Sequence, residues 1–285
     1  MPWSESKSRF FEALRAKGVS PRTEVSYREA IDQFLGHYLA TDPRLTLANV
    51  EAPHIEAFLA QLRSVGRADS TVDNRYRSLR RFFRWCKSRK LIPIDPIKAV
   101  QAPMVRPGIV KPYTELDVRR MMAATRNWPD LALRDQAIIS MLYNTGIRAG
   151  ELCTLKPASV TEGTLLVTGK GKKERRVGLE SVTERLLQAY MTSREERRYV
   201  FGLSVTGLHQ MIKRVAWRAR VENAHAHRFR DSFAVAFLER GGDLETLQTI
   251  LGHSNIETTL RYVRYGRERR AVEAQRKFAP FAQAG

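Results

Sequence analysis

Apolar residues recur along this chain at spacings of three and four, the period of helices that bury one face. Ser20 and Pro21 supply a capping hydroxyl and a first-turn proline, and Tyr27, Ile31, Phe34, Leu35 and Tyr38 follow on one stripe. A second helix is predicted from Pro53 to about Leu62, burying Ile55, Phe58, Leu59 and Leu62. A third, capped by Ser70, turns Tyr76, Leu79, Phe82, Phe83 and Cys86 inward. Residues 1–10 are polar and mixed in charge, and the first helix start is read at Ser20. Pro93, Pro96, Pro103, Pro107 and Pro112 then break the helical pattern. A domain boundary is expected at about residue 105, separating a helical domain, 1–105, from a larger one, 106–285.

The second part mixes periods. Thr114 and Asp117 form a capping-box pattern ahead of Met121 and Met122. Leu133, Ala137, Ile138, Met141 and Leu142 mark another helix, with Gly146 placed for a left-handed C-terminal cap. The chain restarts at once, which puts Arg148 at a helix–turn–helix junction where backbone N–H groups can hold an anion. Thr164–Val167 and Glu174–Leu179 read as strands joined by a Gly- and Lys-rich turn. Helices are predicted at about 181–191 and 205–220, and from Phe229 onward with Phe233, Ala236 and Phe237 inward. Asp243 caps the next helix, Gly252-His253 ends it, and Asn255 caps the one carrying Tyr262. The fold class expected is mainly α with a small β-hairpin or sheet, α+β.

Charge narrows the partner. The net charge is +19, with eighteen Lys and Arg against eleven Asp and Glu in residues 1–105, and thirty-one against nineteen beyond. An excess spread over both parts suits a polyanion lying along the whole molecule, and a nucleic acid backbone fits best. On the third helix Arg77, Arg80, Arg81, Arg84 and Lys87 fill much of the face opposite the apolar stripe, so these are candidate DNA contacts. Lys172 and Lys173 join them from the hairpin turn. The turn is not a phosphate-binding P-loop, because the spacing and the following helix are absent. Cys86 and Cys153 fall in apolar helical patterns and read as reduced core residues of a cytoplasmic protein. No metal site is expected, since the histidines show no zinc spacing with either cysteine. No apolar run approaches a membrane span, and no membrane partner is expected.

The candidate chemistry lies between His225 and Tyr262. His227 and Arg230 are three residues apart, His253 follows, and Tyr262 comes nine residues later. A tyrosine downstream of an Arg and His cluster in so basic a chain points to nucleophilic attack on a DNA phosphate.

The segments TGIRAGEL at 145–152, GKGKKERRV at 169–177, HRFRDSFA at 227–234, LGH at 251–253 and Tyr262, in this order and spacing, resemble the tyrosine recombinase, or phage integrase, family. The resemblance implies a helical core-binding domain over 1–105 and a catalytic domain beyond. It implies that Arg148 and Arg230 are the two catalytic arginines, Lys170 the hairpin lysine, His227 and His253 the histidine positions, and Tyr262 the nucleophile. Glu151 matches an acidic position that supports the first arginine. Position 231 departs from the pattern, with Asp where many members carry His, and so does Gly178, where Pro is frequent. A change in the charge balance near Arg230 is the expected effect of Asp231.

Two guanidinium groups would meet the charge of a pentacoordinate phosphate, His227 would take the phenol's proton as base or as a member of a network, His253 would hydrogen-bond the phosphate, and Lys170 would protonate the departing 5′ oxygen. No metal or nucleotide cofactor is needed for a 3′-phosphotyrosine exchange. The expected partner is double-stranded DNA carrying specific sites, bound by a homotetramer assembled from free monomers. The C-terminal tail from Arg267 to Gly285 resembles a segment that packs on a neighbouring subunit, with packing on its own domain the alternative. Integration of a phage or mobile element and Xer-like resolution of chromosome dimers use the same chemistry. The expected compartment is the cytoplasm, in association with the nucleoid, or a host's cytoplasm for a phage protein. A strand-swivelling topoisomerase and a non-catalytic DNA-binding regulator are the readings from other classes.

Overall fold

Helix packing dominates the computed structural model, which describes residues 2–39, 42, 44–105, 111–169, 173–195, 198–253, 255–265, 271, 272, 275, 276 and 279. The chain divides into two compact units, Met1–Pro107 and Gly108–Gly285. In the first, α1 (Trp3–Ala16), α2 (Pro21–Leu39), α3 (Ala52–Ser64) and α4 (Asp69–Ser88) enclose an aromatic core. Phe10, Phe34, Phe58, Phe82 and Phe83 are all essentially inaccessible, and rings such as Phe34 and Phe58 meet edge to face at 5.5 Å.

The sequence reading passed over α1. Its first turns are polar, and its inward positions Phe10, Phe11 and Leu14 are too few to show a period. What holds it is tertiary: Phe10 packs edge-on against Phe82 at 5.2 Å, and Trp3 stacks on the same ring. Ser70 does not cap α4 either. That helix starts two residues earlier, at Asp69 after Ala68, with no side-chain cap.

In the second unit α5 (Glu115–Ala124) opens with the Thr114–Asp117 capping box, both of whose hydrogen bonds form. The central element is α6 (Pro129–Thr145), which packs against α5 and against two later helices, α8 (Ser181–Thr192) and α10 (Ala226–Glu239). Accordingly Ala137–Leu142 is buried all round the helix, where a surface helix would show one stripe. The short α7 (Ala149–Cys153) leads to an antiparallel sheet of β1 (Val160–Thr161), β2 (Thr164–Thr168) and β3 (Glu174–Gly178), in that order. The two-residue β1 carries too little pattern to be read from sequence. Leu165 pairs with Val177 and Val167 with Arg175, which sets the inward face of the hairpin.

Next come α9 (Val205–Arg218), α10, α11 (Leu244–Leu251) and α12 (Glu257–Arg264). On α10 the buried apolar residues are Ala226, Phe229, Ala234, Val235 and Leu238, whereas the predicted Phe233, Ala236 and Phe237 are half-buried. The helix serves two cores. Phe229 joins the main one, and Ala234, Val235 and Leu238 join a smaller one with Leu247, Leu251 and Tyr262. No helix among the described residues is long and apolar enough to cross a membrane.

Candidate active site

Three arginines distant in sequence meet at the carbonyl end of α11. Arg175 Nε donates to the Ile250 carbonyl at 2.7 Å, Arg230 Nη2 to Leu251 at 2.6 Å and Arg148 Nη2 to Gly252 at 3.2 Å. The last carbonyls of a helix have no partner within it and carry the negative end of its dipole, so they attract guanidinium groups. Gly252, at φ +63°, turns the chain out of the helix.

Arg148 is fixed by its own turn. It precedes α7, and Glu151 at the third helical position accepts its backbone N–H at 2.9 Å and its Nη1 at 2.8 Å. Arg175 grips both oxygens of the same carboxylate, at 2.9 and 2.8 Å. Burial alone would raise the Glu151 carboxyl. The bonds from Arg175 and Arg148 outweigh that and hold it at about 2. Glu151 is therefore an anion at neutral pH, tying the α7 turn to β3.

Arg230 is 1% exposed. Its other arm donates to the Gly146 carbonyl at 2.7 Å, so one guanidinium joins the ends of α6 and α11. Gly146 has φ +61°, and a Cβ there would lie 2.7 Å from the Phe233 ring and 2.9 Å from Leu251. Only glycine fits both the turn and the close approach. Burial, and then the charge of Arg148, lower the Arg230 pKa to about 10, which leaves it protonated at neutral pH. Three guanidiniums around one internal carboxylate leave an excess of positive charge, which an arriving anion would relieve.

Tyr262 is fully buried and stacks on His253, with ring centroids 6.4 Å apart. The His253 ring is oriented by a 2.8 Å hydrogen bond between Nδ1 and the buried Thr259. The phenol O–H donates to Asp231 Oδ1 at 2.8 Å, and Arg261 Nη2 donates to the same oxygen at 3.0 Å. His227 Nε2 lies 3.5 Å from that oxygen. Asp231 thus bonds to Tyr262 and Arg261 rather than to Arg230. Arg230 points to two carbonyls, while Asp231, on the next position of the helix, faces α12.

Arg148, His227, Arg230, His253 and Tyr262 thus gather around the ends of α6, α10 and α11. Lys170 and Lys172 lie outside the described residues, as does most of the tail from Arg267. Gly169, which precedes Lys170, is next to the cluster: a Cβ on it would lie 3.4 Å from Glu151 Oε1. Lys173 is exposed. In the other unit Arg77, Arg81, Arg84 and Lys87 are exposed on α4 and Arg80 is half-buried. Arg77 pairs with Asp73 at 2.7 Å and Lys87 donates to the Pro93 carbonyl. Sequence reasoning missed Arg175 and Arg261. A signal for Arg175 existed, because it sits two residues from Val177 and so shares the inward face of β3. Arg261 left no such signal.

His253 carries a pH-dependent consequence. Burial, then the charges of Arg230, Arg148, Arg261 and His227, lower its pKa from 6.5 to about 4. Between those values the unfolded chain binds the proton and the folded chain does not. Stability is complete above pH 6.5 and falls as the pH drops toward 4. Denaturant midpoints measured from pH 7 to 4 are expected to fall less steeply in His253→Gln than in the parent, by up to one proton's worth of slope, about 1.4 kcal/mol per pH unit. Equal slopes would place the histidine in solvent.

Comparison with known proteins bears on the family and the fold. Residues 112–269 match the phage integrase family, and residues 8–92 match the phage integrase N-terminal SAM-like domain. The chain is 31% identical over 267 residues to the tyrosine recombinase XerD of Listeria monocytogenes, covering 86% of this chain and 89% of the relative. It is 30% identical over 259 residues to XerC of Yersinia pestis, covering 86% and 84%. Among solved structures, the XerH site-specific recombinase bound to a palindromic difH substrate superposes with a TM-score of 0.75 at 20% identity, covering 94% of this chain and 84% of that one. A lambda integrase dimer bound to a core site superposes with a TM-score of 0.75 at 16% identity, covering 92% and 77%. The chain belongs to the tyrosine recombinase, or phage integrase, family, whose members cleave and rejoin DNA through a tyrosine-linked intermediate.

Proposed function

We propose that this chain is a site-specific recombinase in which Tyr262 attacks a DNA phosphate held by Arg148 and Arg230, forming a 3′-phosphotyrosine. The observation that carries this reading is the meeting of Arg148 and Arg230 at adjacent carbonyls, with Tyr262 stacked on His253 beside them. The N–H groups left over on two rigidly held guanidiniums would bind the non-bridging oxygens, whose charge grows as the phosphorus becomes pentacoordinate. His253 would donate a further hydrogen bond. Lys170 would protonate the departing 5′ oxygen, and a 5′-hydroxyl from a partner strand would reverse the step. His227 would accept the phenol's proton, directly or as a member of a network.

Solved neighbours of this fold are recombinases bound to DNA, including a lambda integrase tetramer on a Holliday junction. We carry over duplex DNA and a tetramer of this chain as its working assembly, with Arg77, Arg80, Arg81, Arg84, Lys87, Lys172 and Lys173 as backbone contacts. Integration of a mobile element is the leading role. A Xer-like role is the second reading, favoured by XerC and XerD relatives that match over most of their length.

Covalent trapping tests the proposal. The chain is incubated with sheared genomic DNA, denatured in detergent, and the protein-linked fragments are sequenced. Adducts sharing a short site with inverted half-sites are the expected result. Adducts with no common sequence, with relaxation of a plasmid that lacks any site, would make the chain a topoisomerase instead.

A further inference from the structure

Asp231 is the residue that the chemistry above leaves without a task, although its carboxylate touches the reacting oxygen. It is 7% exposed, and Oδ1 is the one hydrogen-bond partner of the Tyr262 phenol among the described residues. His227, four residues earlier on α10, makes no bond to the phenol but stands 3.5 Å from the same carboxylate oxygen, with its ring more than half exposed. Phenol, carboxylate and imidazole therefore run in sequence from the buried nucleophile to solvent. Arg261 from α12 fixes the middle member.

We propose that Asp231 takes the phenolic proton of Tyr262 as it attacks, and that His227 drains that proton to water. The inference rests on Tyr262 being the nucleophile. As the bond from Tyr262 Oη to phosphorus forms, the O–H bond breaks and its proton moves to Asp231 Oδ1. The bond from phosphorus to the 5′ oxygen breaks with its electron pair on that oxygen, which takes a proton from Lys170. The proton on Asp231 then passes to His227 Nε2 and to solvent.

Carboxylic acids are stronger than phenols by about six powers of ten, so the transfer completes only as the new phosphorus bond forms. Without DNA the same contact keeps the nucleophile inert. Burial raises the phenol pKa first, and the charge and hydrogen bond of Asp231 raise it further, against Arg261 and Arg230. The groups facing the relay are His225 and His253 together with Arg230 and Arg261, so it lies in a positive field. Burial, and then those arginines, lower the His227 pKa against the pull of Asp231, which leaves the ring neutral and able to accept at pH 7.

The test uses single-turnover adduct formation by the full chain on a nicked duplex carrying a site recovered by covalent trapping. Asp231→Asn is expected to slow adduct formation about 100-fold or more at pH 7. Its rate should then climb about tenfold per pH unit to pH 9, as hydroxide takes over, while the parent's changes little. Asp231→His, which restores a base at this position, recovers most of the rate. A 5′-bridging sulfur, whose departure needs no proton, rescues Lys170→Ala but not Asp231→Asn. Wild-type cleavage by Asp231→Asn overturns the inference. So does a loss that is equal at every pH and unrelieved by Asp231→His, which would make the carboxylate a positioning group only. Tyr262→Phe separates the two levels. Adducts formed by that variant would remove the nucleophile assignment itself, whereas a dead Tyr262→Phe beside an active Asp231→Asn removes only the relay.

Discussion

Tyr262→Phe is expected to form no covalent adduct with DNA while binding it as tightly as the parent. The substitution removes one oxygen, and that oxygen is the atom assigned to the new phosphorus bond. The fold has little reason to change. The ring stays buried against His253, and Asp231 loses one of its hydrogen bonds but keeps Arg261 at 3.0 Å. The stability cost is expected near the low end for a buried polar group that loses a partner, about 1 kcal/mol. Detergent-resistant adducts on trapped sites give the first readout, and gel shifts with denaturant melts give the second. Undiminished adduct formation would move the nucleophile elsewhere, with Tyr265 the first candidate.

Arg230→Lys is the second large effect, and it separates charge from geometry. Lysine keeps the positive charge but has a single ammonium in place of a planar fork. The native guanidinium spans the Gly146 and Leu251 carbonyls at 2.7 and 2.6 Å while fully buried. An ammonium cannot reach both and still present donors to a phosphate, so one carbonyl is left unpaired at a cost of about 1–3 kcal/mol. Adduct formation should fall by at least the 10²–10³-fold that removal of one preorganised donor costs. DNA affinity should change far less, because long-range attraction depends on total charge, +19 in the parent. Near-parental adduct formation by this variant would mean that the fork does not contact the scissile phosphate.

Some of this is legible in the sequence alone. Short-range rules carried it where a residue's task is set by its own neighbours. The Thr114–Asp117 box, whose hydrogen bonds close within three residues, and the left-handed Gly146 at the end of α6 are of this kind. The mainly helical class with a small hairpin followed from periods of 3.6 and 2. Readings failed where packing decided. The helix Trp3–Ala16 exists because Phe82 covers it, and the inner face of α10 is doubled because two cores meet there. Asp231 and Arg230 are adjacent in sequence but bond to different groups. Consecutive helix positions are rotated about 100° apart, so they address different partners.

By itself the sequence determined the elements, the excess of positive charge, and an ordered set of basic side chains with a tyrosine after them. Each depends on local spacing or on composition, which a linear chain carries in full. Only the tertiary structure decided that Arg175, Arg230 and Arg148 are held by three successive carbonyls at the C-terminal end of α11, and that the Tyr262 phenol rests on Asp231 with His227 behind it. Those contacts join residues as far as 104 positions apart. Their geometry is set by how helix ends pack, which no spacing rule along the chain encodes.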